Sequence, residues 1–343
     1  MVGADLVEGL QAVVGRAIGE VVSVEDLARL PGGASRETWS FTARRRDGTG
    51  QRLVLRRDPP GAPGSGLRLE ASLLAAAARV GVPVPRVVAA GGETAGGETA
   101  GGETAGPHGL GASAASHGLG AAFMVMEFVE GETIPRRILR DERLAGIRPV
   151  LAEHCGRVLA AIHRMAPAEV PGLAGGDPLE QLRGLLDHLG QPHPAFELGL
   201  RWLAETRPPP SAESVVHGDF RNGNLIIGPE GIRAVLDWEL AHVGDQLEDL
   251  GWLCVKAWRF GAALPVGGFG TTDQLVGAYQ EAGGGSVDPD ALRWWQMLGT
   301  VRWGVICIVQ ALTHTTGAVR SVELAAIGRR VCEVEWDVLE LLP

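Results

Sequence analysis

The stretch from Ser214 to Glu239 constrains this chain more than any other, because it sets a short hairpin inside a long run of helical periodicity. His217-Gly218-Asp219-Phe220-Arg221-Asn222-Gly223-Asn224 leads into a strand, Asn224–Ile227. The turn Gly228-Pro229-Glu230-Gly231 and a second strand, Ile232–Leu236, follow, then Asp237-Trp238-Glu239. If Ile227 pairs with Ile232, Asn224 lies opposite Val235 and Asp237 emerges at the same end, with Asp219 on the loop that feeds it. Any fold of this chain must then gather two carboxylates and a carboxamide in one place. Oxygen donors of this kind suit a hard cation such as Mg²⁺, with bound phosphates completing its shell.

The flanks differ in character. Leu6 to Ile18 has apolar residues at helical spacing. Val24–Leu30, Thr38–Arg44 and Arg52–Arg57 alternate as strands, the last two joined by a turn at Asp47-Gly48-Thr49-Gly50. A helix is expected over Leu67–Val80, stopped by Gly81 and Pro83, and further strands over Val84–Ala90 and Phe123–Phe128. Beyond Gly131 the chain reads as helices: Pro149–Met165, Pro178–Leu189, Phe196–Glu205, Gln246–Phe260, Thr272–Glu281, Ala291–Leu312 and Val322–Leu342. The reading is an α+β chain of two lobes, a small antiparallel-sheet lobe over 1–129 and a larger helical lobe over 130–343. Residues 91–121 interrupt the first lobe with three tandem copies of GGETA and two of HGLGA. These repeats hold too little apolar surface to offset the entropy of ordering them, so an expanded loop is expected.

Composition narrows the partners. The net charge of −10 disfavours nucleic acid, whose phosphates need a basic surface. Trp294–Leu312 is the one apolar stretch of membrane length, but Gln296, Arg302 and Gln310 interrupt it, so it is expected to be a buried core helix. The N-terminus lacks the basic-then-apolar pattern of a secretory signal. Four unpaired cysteines (Cys155, Cys254, Cys307, Cys332) are expected to be buried thiols of a cytoplasmic protein. Of 31 basic residues only Lys256 is a lysine, so chemistry that commonly uses lysine must use arginine here.

Phosphoryl transfer needs a group of the kind the hairpin gathers: one Asp to receive or orient an acceptor hydroxyl, and an Asn and a second Asp for the metal. The spacing Asp-x₄-Asn followed by a strand-terminal Asp matches the catalytic and metal-binding segments of protein kinases. In the forms HGDFRNGN and DWE, the chain resembles the aminoglycoside phosphotransferase and choline kinase superfamily. The resemblance is closest to kinase-like phosphotransferases related to a domain that accompanies some acyl-CoA dehydrogenases. LPGGASRETWSF, LVLRRDPP, HGDFRNGNLI, DWELAHVGDQLEDLGWLCVKAWRFG and ELAAIGRRVCEVEWDVL carry it.

That resemblance implies a two-lobed protein-kinase-like fold, ATP or GTP as phosphate donor, and Mg²⁺. It makes Asp219 the catalytic base, and Asn224 and Asp237 the metal ligands. Arg221 falls where many kinases place a lysine against the γ-phosphate, and His217 where a histidine braces the loop. Gly32, Gly33 and Ser35 lie in a strand–loop–strand hairpin that lets backbone N–H groups approach phosphates. Arg56 stands in the place of the kinase strand lysine. Glu70, on the apolar face of its helix with Leu73, Leu74 and Ala77, is its expected partner. Backbone groups of Glu127 and Val129 are expected to meet the purine. Asp245 and Asp249 are expected to cap or brace the helix beginning near Gln246. A metallohydrolase at His242 and Asp245 would need a second His-rich cluster, which the sequence lacks.

The expected activity is transfer of the γ-phosphate to a small-molecule hydroxyl. A hydroxyacyl-CoA or related metabolite is one candidate acceptor. The alternatives are an aminoglycoside-type antibiotic kinase and a nucleotide-binding pseudokinase without turnover. Acceptor residues are expected around Arg201–Trp202 and Val255–Arg259. On a continuous helix, Trp252 and Lys256, like Val255 and Arg259, would form an aromatic and basic face.

Overall fold

The computed structural model describes residues 2–30, 36–58, 66–91, 119 and 122–343. The chain divides into two compact units, Met1–Glu130 and Gly131–Pro343. Gly32, Gly33, Ser35 and the repeats lie outside the described residues.

The first unit runs α1 (Val2–Ile18), β1 (Ser23–Arg29), β2 (Glu37–Arg44), β3 (Gly50–Arg57), α2 (Leu67–Arg79), β4 (Val87–Gly91) and β5 (Phe123–Glu127). The strands form one antiparallel sheet in the order β1-β2-β3-β5-β4. Alternation along β3 explains its two faces. Leu53 and Leu55 are fully buried in a cluster with Leu6, Leu10 and Val14 of α1, Phe41 of β2 and Val125 of β5. Val54 and Arg56 point the other way, because successive strand residues alternate sides. That is the side from which Glu70 of α2 reaches Arg56.

The second unit runs α3 (Pro135–Ile138), α4 (Leu151–Ile162), α5 (Pro178–Leu189), α6 (Pro194–Glu205), β6 (Glu213–Val216), β7 (Leu225–Gly228), β8 (Gly231–Val235) and β9 (His242–Asp245). It continues through α7 (Leu247–Cys254), α8 (Thr272–Glu281), α9 (Pro289–Thr315), α10 (Val322–Gly328) and α11 (Val331–Leu341). Helix α9 is its centre. Asp288 caps it by accepting from the Ala291 N–H, and Pro289 occupies the first turn, where a missing N–H costs nothing. Met297, Leu298, Val301, Val305 and Ile308 pack against Phe196, Leu200 and Leu203 of α6 and Val334 and Val338 of α11. The stretch Trp294–Leu312 is thus a core helix, and among the described residues no helix is long and apolar enough to cross a membrane.

Four expectations are corrected. The helix expected over Gln246–Phe260 stops at Cys254, because Val255 is extended (ψ 134°) and a separate 3₁₀ turn, Lys256–Arg259, follows. The helix expected over Val322–Leu342 is two, broken at Gly328–Arg330. Strand β9, expected by no local pattern, pairs antiparallel with β6. Cys332 is exposed, whereas Cys155, Cys254 and Cys307 are buried. Burial pushes the Cys254 and Cys307 thiols up to about 12.

Candidate active site

The hairpin β7–β8 pairs Ile227 with Ile232 as expected, but a bulge then shifts the register, so Leu225 faces Val235. Asn224 therefore meets Leu236, not Val235, and its carbonyl accepts from the Leu236 N–H at 2.8 Å. The shift does not separate the polar residues, since Asp237 still follows directly at that end. Asp237 adopts a left-handed backbone, φ 67°, sparsely populated by residues other than glycine.

The loop from His217 to Asn224 joins β6 to β7, and its shape is held from below. Asp249 on α7 accepts from the His217 N–H at 2.8 Å and the Gly218 N–H at 2.9 Å. Asp249 was expected to serve its own helix; it binds this loop instead. It also meets His163, which caps the C-terminal end of α4, at 3.2 Å, and His163 joins Tyr279 of α8 at 2.8 Å. Burial alone would raise the Asp249 carboxyl, yet the hydrogen bond and charge of His163 hold it below its ordinary value. Gly218 has φ 77°, and a Cβ there would lie 2.4 Å from the Leu240 carbonyl oxygen, so only glycine fits. Asp245 accepts from the N–H groups of Ser211 and Leu247, at 2.9 and 2.8 Å, bracing the start of α7.

His217 is fully buried and spends both ring nitrogens on this loop. Nε2 lies 3.1 Å from the Leu236 carbonyl, and Nδ1 accepts from the Asp219 N–H at 3.1 Å. This is a neutral imidazole donating through Nε2. Burial pushes its pKa down from 6.5, outweighing the charges of Asp249, Asp219 and Asp237. With the folded value depressed, the unfolded chain binds the proton more readily, so stability is lost as pH falls below 6.5. Each unit of depression is worth about 1.4 kcal/mol once the pH lies below both the folded and the unfolded value. The melting temperature is expected to fall between about pH 7 and pH 5. His217→Gln, less stable throughout, is expected to show a shallower fall over the same range. An identical slope in both proteins would remove His217 from the account.

Asp219 is the convergence point. Its Oδ1 accepts from Arg221 Nε at 2.9 Å and from Trp252 Nε1 at 2.8 Å, while its Oδ2 accepts from Asn224 Nδ2 at 2.6 Å. With its nitrogen turned to Asp219, the Asn224 amide directs its oxygen the other way. The structure thus brings Asp219, Arg221, Asn224 and Asp237 to one loop-and-hairpin end. Arg221 is tied to Asp219, and its guanidinium sits 4.6 Å from the Trp258 ring centroid. Trp252 is the contact that sequence reasoning missed. The available signal was its position three residues after Asp249, on the same face of α7.

In the first unit Arg56 and Glu70 pair as expected, and Glu70 is buried, 2% exposed. A second arginine joins them: Arg36 Nη1 donates to Glu70 at 2.8 Å and its Nε lies 3.7 Å from Asp58. Removing one member of such a buried set typically costs about 3–5 kcal/mol, because the remaining charge is stranded. Glu127 ends β5, and its side chain accepts from Gln51 and Arg86 at 2.9 and 2.6 Å. Val129 follows it, just before the boundary between the units.

The charged side chains expected near an acceptor make ion pairs and hydrogen bonds of their own. Lys256 pairs with Asp337 at 2.8 Å and Glu340 at 2.7 Å, and Arg259 donates to the Cys254 carbonyl at 3.1 Å. Because α7 ends before either residue, the four-residue spacing from Trp252 and Val255 builds no common face. Arg201 pairs with Glu205 on the surface at 2.9 Å.

A protein of 28% identity over 233 residues is the mouse acyl-CoA dehydrogenase family member 10; the match takes in 63% of this chain and 19% of that protein. The human acyl-CoA dehydrogenase family member 11 is 32% identical over 149 residues, 38% of this chain and 18% of its own. The chain therefore spans less than a fifth of the length of these relatives. A provisionally assigned aminoglycoside phosphotransferase from Ralstonia eutropha shares the fold, with TM-score 0.71, 22% identity and 97% of each chain covered. So does a spectinomycin phosphotransferase solved with ADP and spectinomycin, with TM-score 0.64, 14% identity and 98% of each chain covered. The phosphotransferase enzyme family matches over residues 26–295, a span that includes the sheet, the Asp219 loop, the hairpin and α7, and the chain belongs to that family.

Proposed function

We propose that the protein transfers the γ-phosphate of ATP to a hydroxyl of a small molecule, with Asp219 as the base. The observation that carries this reading is the convergence of Asp219, Asn224 and Asp237 at one hairpin end, with Asn224 pinned to Asp219. The acceptor oxygen forms a bond to the γ-phosphorus, the bond from the γ-phosphorus to the β–γ bridging oxygen breaks, and ADP leaves. The acceptor proton passes to Asp219. Arg221 and Trp252 fix the direction of that carboxylate and leave Oδ2, with one protein donor, as the oxygen to meet the hydroxyl.

Among the described residues no cluster of three or more His, Cys, Asp or Glu side chains is disposed to hold a metal. An amide oxygen and a carboxylate, from Asn224 and Asp237, nevertheless fit Mg²⁺, which keeps waters and substrate phosphates in its shell and rarely takes a full protein cage. When bound, Mg²⁺ would neutralise charge on the phosphate oxygens. Arg56, positioned by Glu70, and Arg36 beside it would meet the α- and β-phosphates. Gly32, Gly33 and Ser35 would supply backbone N–H groups, and Glu127 and Val129 would meet the adenine. ATP is favoured over GTP by the ADP of the spectinomycin phosphotransferase complex. A hydroxyacyl-CoA acceptor is supported by the relatives named as acyl-CoA dehydrogenase family members.

The test is ADP release from MgATP across a panel of hydroxylated metabolites and antibiotics, beside calorimetric titration of ATP. Acceptor-dependent ADP release is the expected result. ATP binding without ADP release would make the chain a nucleotide-binding pseudokinase instead.

A further inference from the structure

Oδ1 of Asp219 takes two side-chain donors, the Arg221 guanidinium and the Trp252 indole. Both rest on one further residue, Trp258. The Arg221 guanidinium lies 4.6 Å from the Trp258 ring centroid, and the Trp252 ring centroid lies 5.2 Å from it. On its far side Trp258 packs on Trp303 of α9, with centroids 4.8 Å apart. Trp252 is steadied in turn by Arg302, 5.1 Å from its ring centroid, which Glu248 holds at 2.7 Å.

The stack of Trp258 on Trp252 depends on the break after α7. Had the helix run on, the two residues would sit about 120° apart around its axis and about 9 Å apart along it, where side chains are not neighbours. The extended Val255 turns the chain back, and the 3₁₀ turn then sets Trp258 against both donors. Every carbonyl freed at this end has a partner. That of Trp252 accepts from the Val255 N–H at 3.1 Å, and that of Leu253 from the Gly267 N–H at 3.3 Å. The Cys254 carbonyl accepts from Gln296 and Arg259, at 3.2 and 3.1 Å. A buried end so fully paired is a built stop, not a frayed one. The returning segment meets the loop a second time, where Asn222, 1% exposed, donates through Nδ2 to the Gly267 carbonyl at 2.8 Å.

The chemistry of Trp258 lies in its ring face. The side chain is 4% exposed, and its indole N–H has no hydrogen-bond partner among the described residues, although a buried tryptophan usually finds one. A guanidinium over an aromatic face is drawn by the ring quadrupole, most strongly where water is excluded. The stack also limits the freedom of a long side chain, so that the Arg221 Nε–H stays turned to Asp219. Packing of the two indoles does the same for the Trp252 N–H.

We infer that Trp258 is a positioning residue for phosphoryl transfer: it holds Arg221 and Trp252 on Oδ1 of Asp219, and the break after α7 is what brings it there. The inference rests on the phosphotransferase reading above, in which Asp219 is the base, and adds the residue that keeps that base aimed. Trp258 acts through its two neighbours.

The probe is MgATP with water as acceptor. The water oxygen bonds to the γ-phosphorus, the bond to the β–γ bridging oxygen breaks, ADP leaves and the water proton passes to Asp219. Trp258→Leu keeps apolar bulk and loses the ring face. Its kcat is expected to fall roughly 10–100-fold, the scale of a reacting group displaced by about an ångström, while calorimetric ATP affinity stays near wild type. Trp258→Phe keeps a ring and gives up only the unpaired N–H, so it should recover most of that loss. Should the Leu variant not fold, Trp258→Met fills the space with a flexible chain and carries the same expected loss. In a Trp252→Phe background Trp258→Leu should cost less than in the wild type, because one of the two donors it steadies is already gone. Equal losses of kcat in the Leu and Phe variants would make Trp258 a space-filler and overturn the inference. So would a wild-type kcat in the Leu or Met variant, a loss confined to ATP affinity, or losses that multiply in the double variant. Each of these leaves phosphotransfer standing. No ADP release by the wild type, with water or with any acceptor of the panel above, removes the phosphotransferase reading and this inference with it.

Discussion

Replacing Asp219 by alanine is expected to lower kcat by roughly 10²–10⁴, the usual contribution of a positioned general base, with little change in ATP affinity. The structure explains why the loss should fall on the chemical step. Asp219 is oriented by three side-chain donors, from Arg221, Trp252 and Asn224. That precision serves a group that acts on the acceptor proton. The substitution also leaves those donors without their acceptor, which costs about 1–3 kcal/mol for each one left unsatisfied. Asp219→Asn fills the space but presents N–H groups to donors, so it should be inactive as well. A single-turnover measurement at saturating ATP separates a slowed chemical step from a weakened complex. Turnover within a fewfold of wild type in both variants would remove Asp219 from the mechanism.

How much of this was legible depended on whether the deciding contact was local. The strands β2 and β3 announce themselves because β3 is a β-branched and apolar run, Leu53-Val54-Leu55, flanked by Arg52 and Arg56, and a Gly-rich turn joins the pair. The start of Thr272–Glu281 was legible, since Thr271 and Gln274 form a reciprocal capping box within four residues. The end of α7 was not. Its apolar pattern runs on through Val255, Ala257 and Trp258, with no glycine or proline to stop it. The break is fixed by distant groups: Gln296 of α9 donates to the Cys254 carbonyl at 3.2 Å, and Trp258 packs on Trp303 with ring centroids 4.8 Å apart. Tertiary packing overrode periodicity there. By contrast, Gly328, which ends α10, was a local signal that the reading passed over.

The candidate site divides the same way. Asp219, Asn224 and Asp237 lie within nineteen residues of one another and are joined by one hairpin, so their convergence could be read from spacing alone. Glu70 was legible as a carboxylate stranded on an apolar helix face that needed a partner. Arg36 was not, because its approach to Glu70 spans 34 positions and no pattern in the chain marks it. Asp249 and Trp252 act on the loop from 31 to 33 residues away, through a backbone pair and a single carboxylate oxygen. The aromatic and basic face expected from Trp252, Val255, Lys256 and Arg259 needed a helix continuous past Cys254, and α7 ends there.

Asp237→Asn isolates charge from shape. Asp237 holds φ 67°, and asparagine tolerates that left-handed conformation better than almost any residue except glycine. The variant should therefore keep its fold, hairpin register and melting temperature near wild type while losing the negative oxygen expected to face Mg²⁺. Loss of an outer-shell partner of a metal typically costs about 10–100-fold in affinity, and loss of a direct ligand's charge is expected to exceed that. Calorimetric titration with ATP, in the presence of Mg²⁺ and then of a chelator, reads the effect directly. In the wild type Mg²⁺ should strengthen ATP binding; in the variant the two titrations should coincide and ADP release should disappear. Asp237→Ala is a useful contrast, because alanine is strained at positive φ and should lower stability as well as binding. Wild-type dependence on Mg²⁺ in the folded Asn variant would remove Asp237 from the metal site and leave Asn224 without a carboxylate partner there.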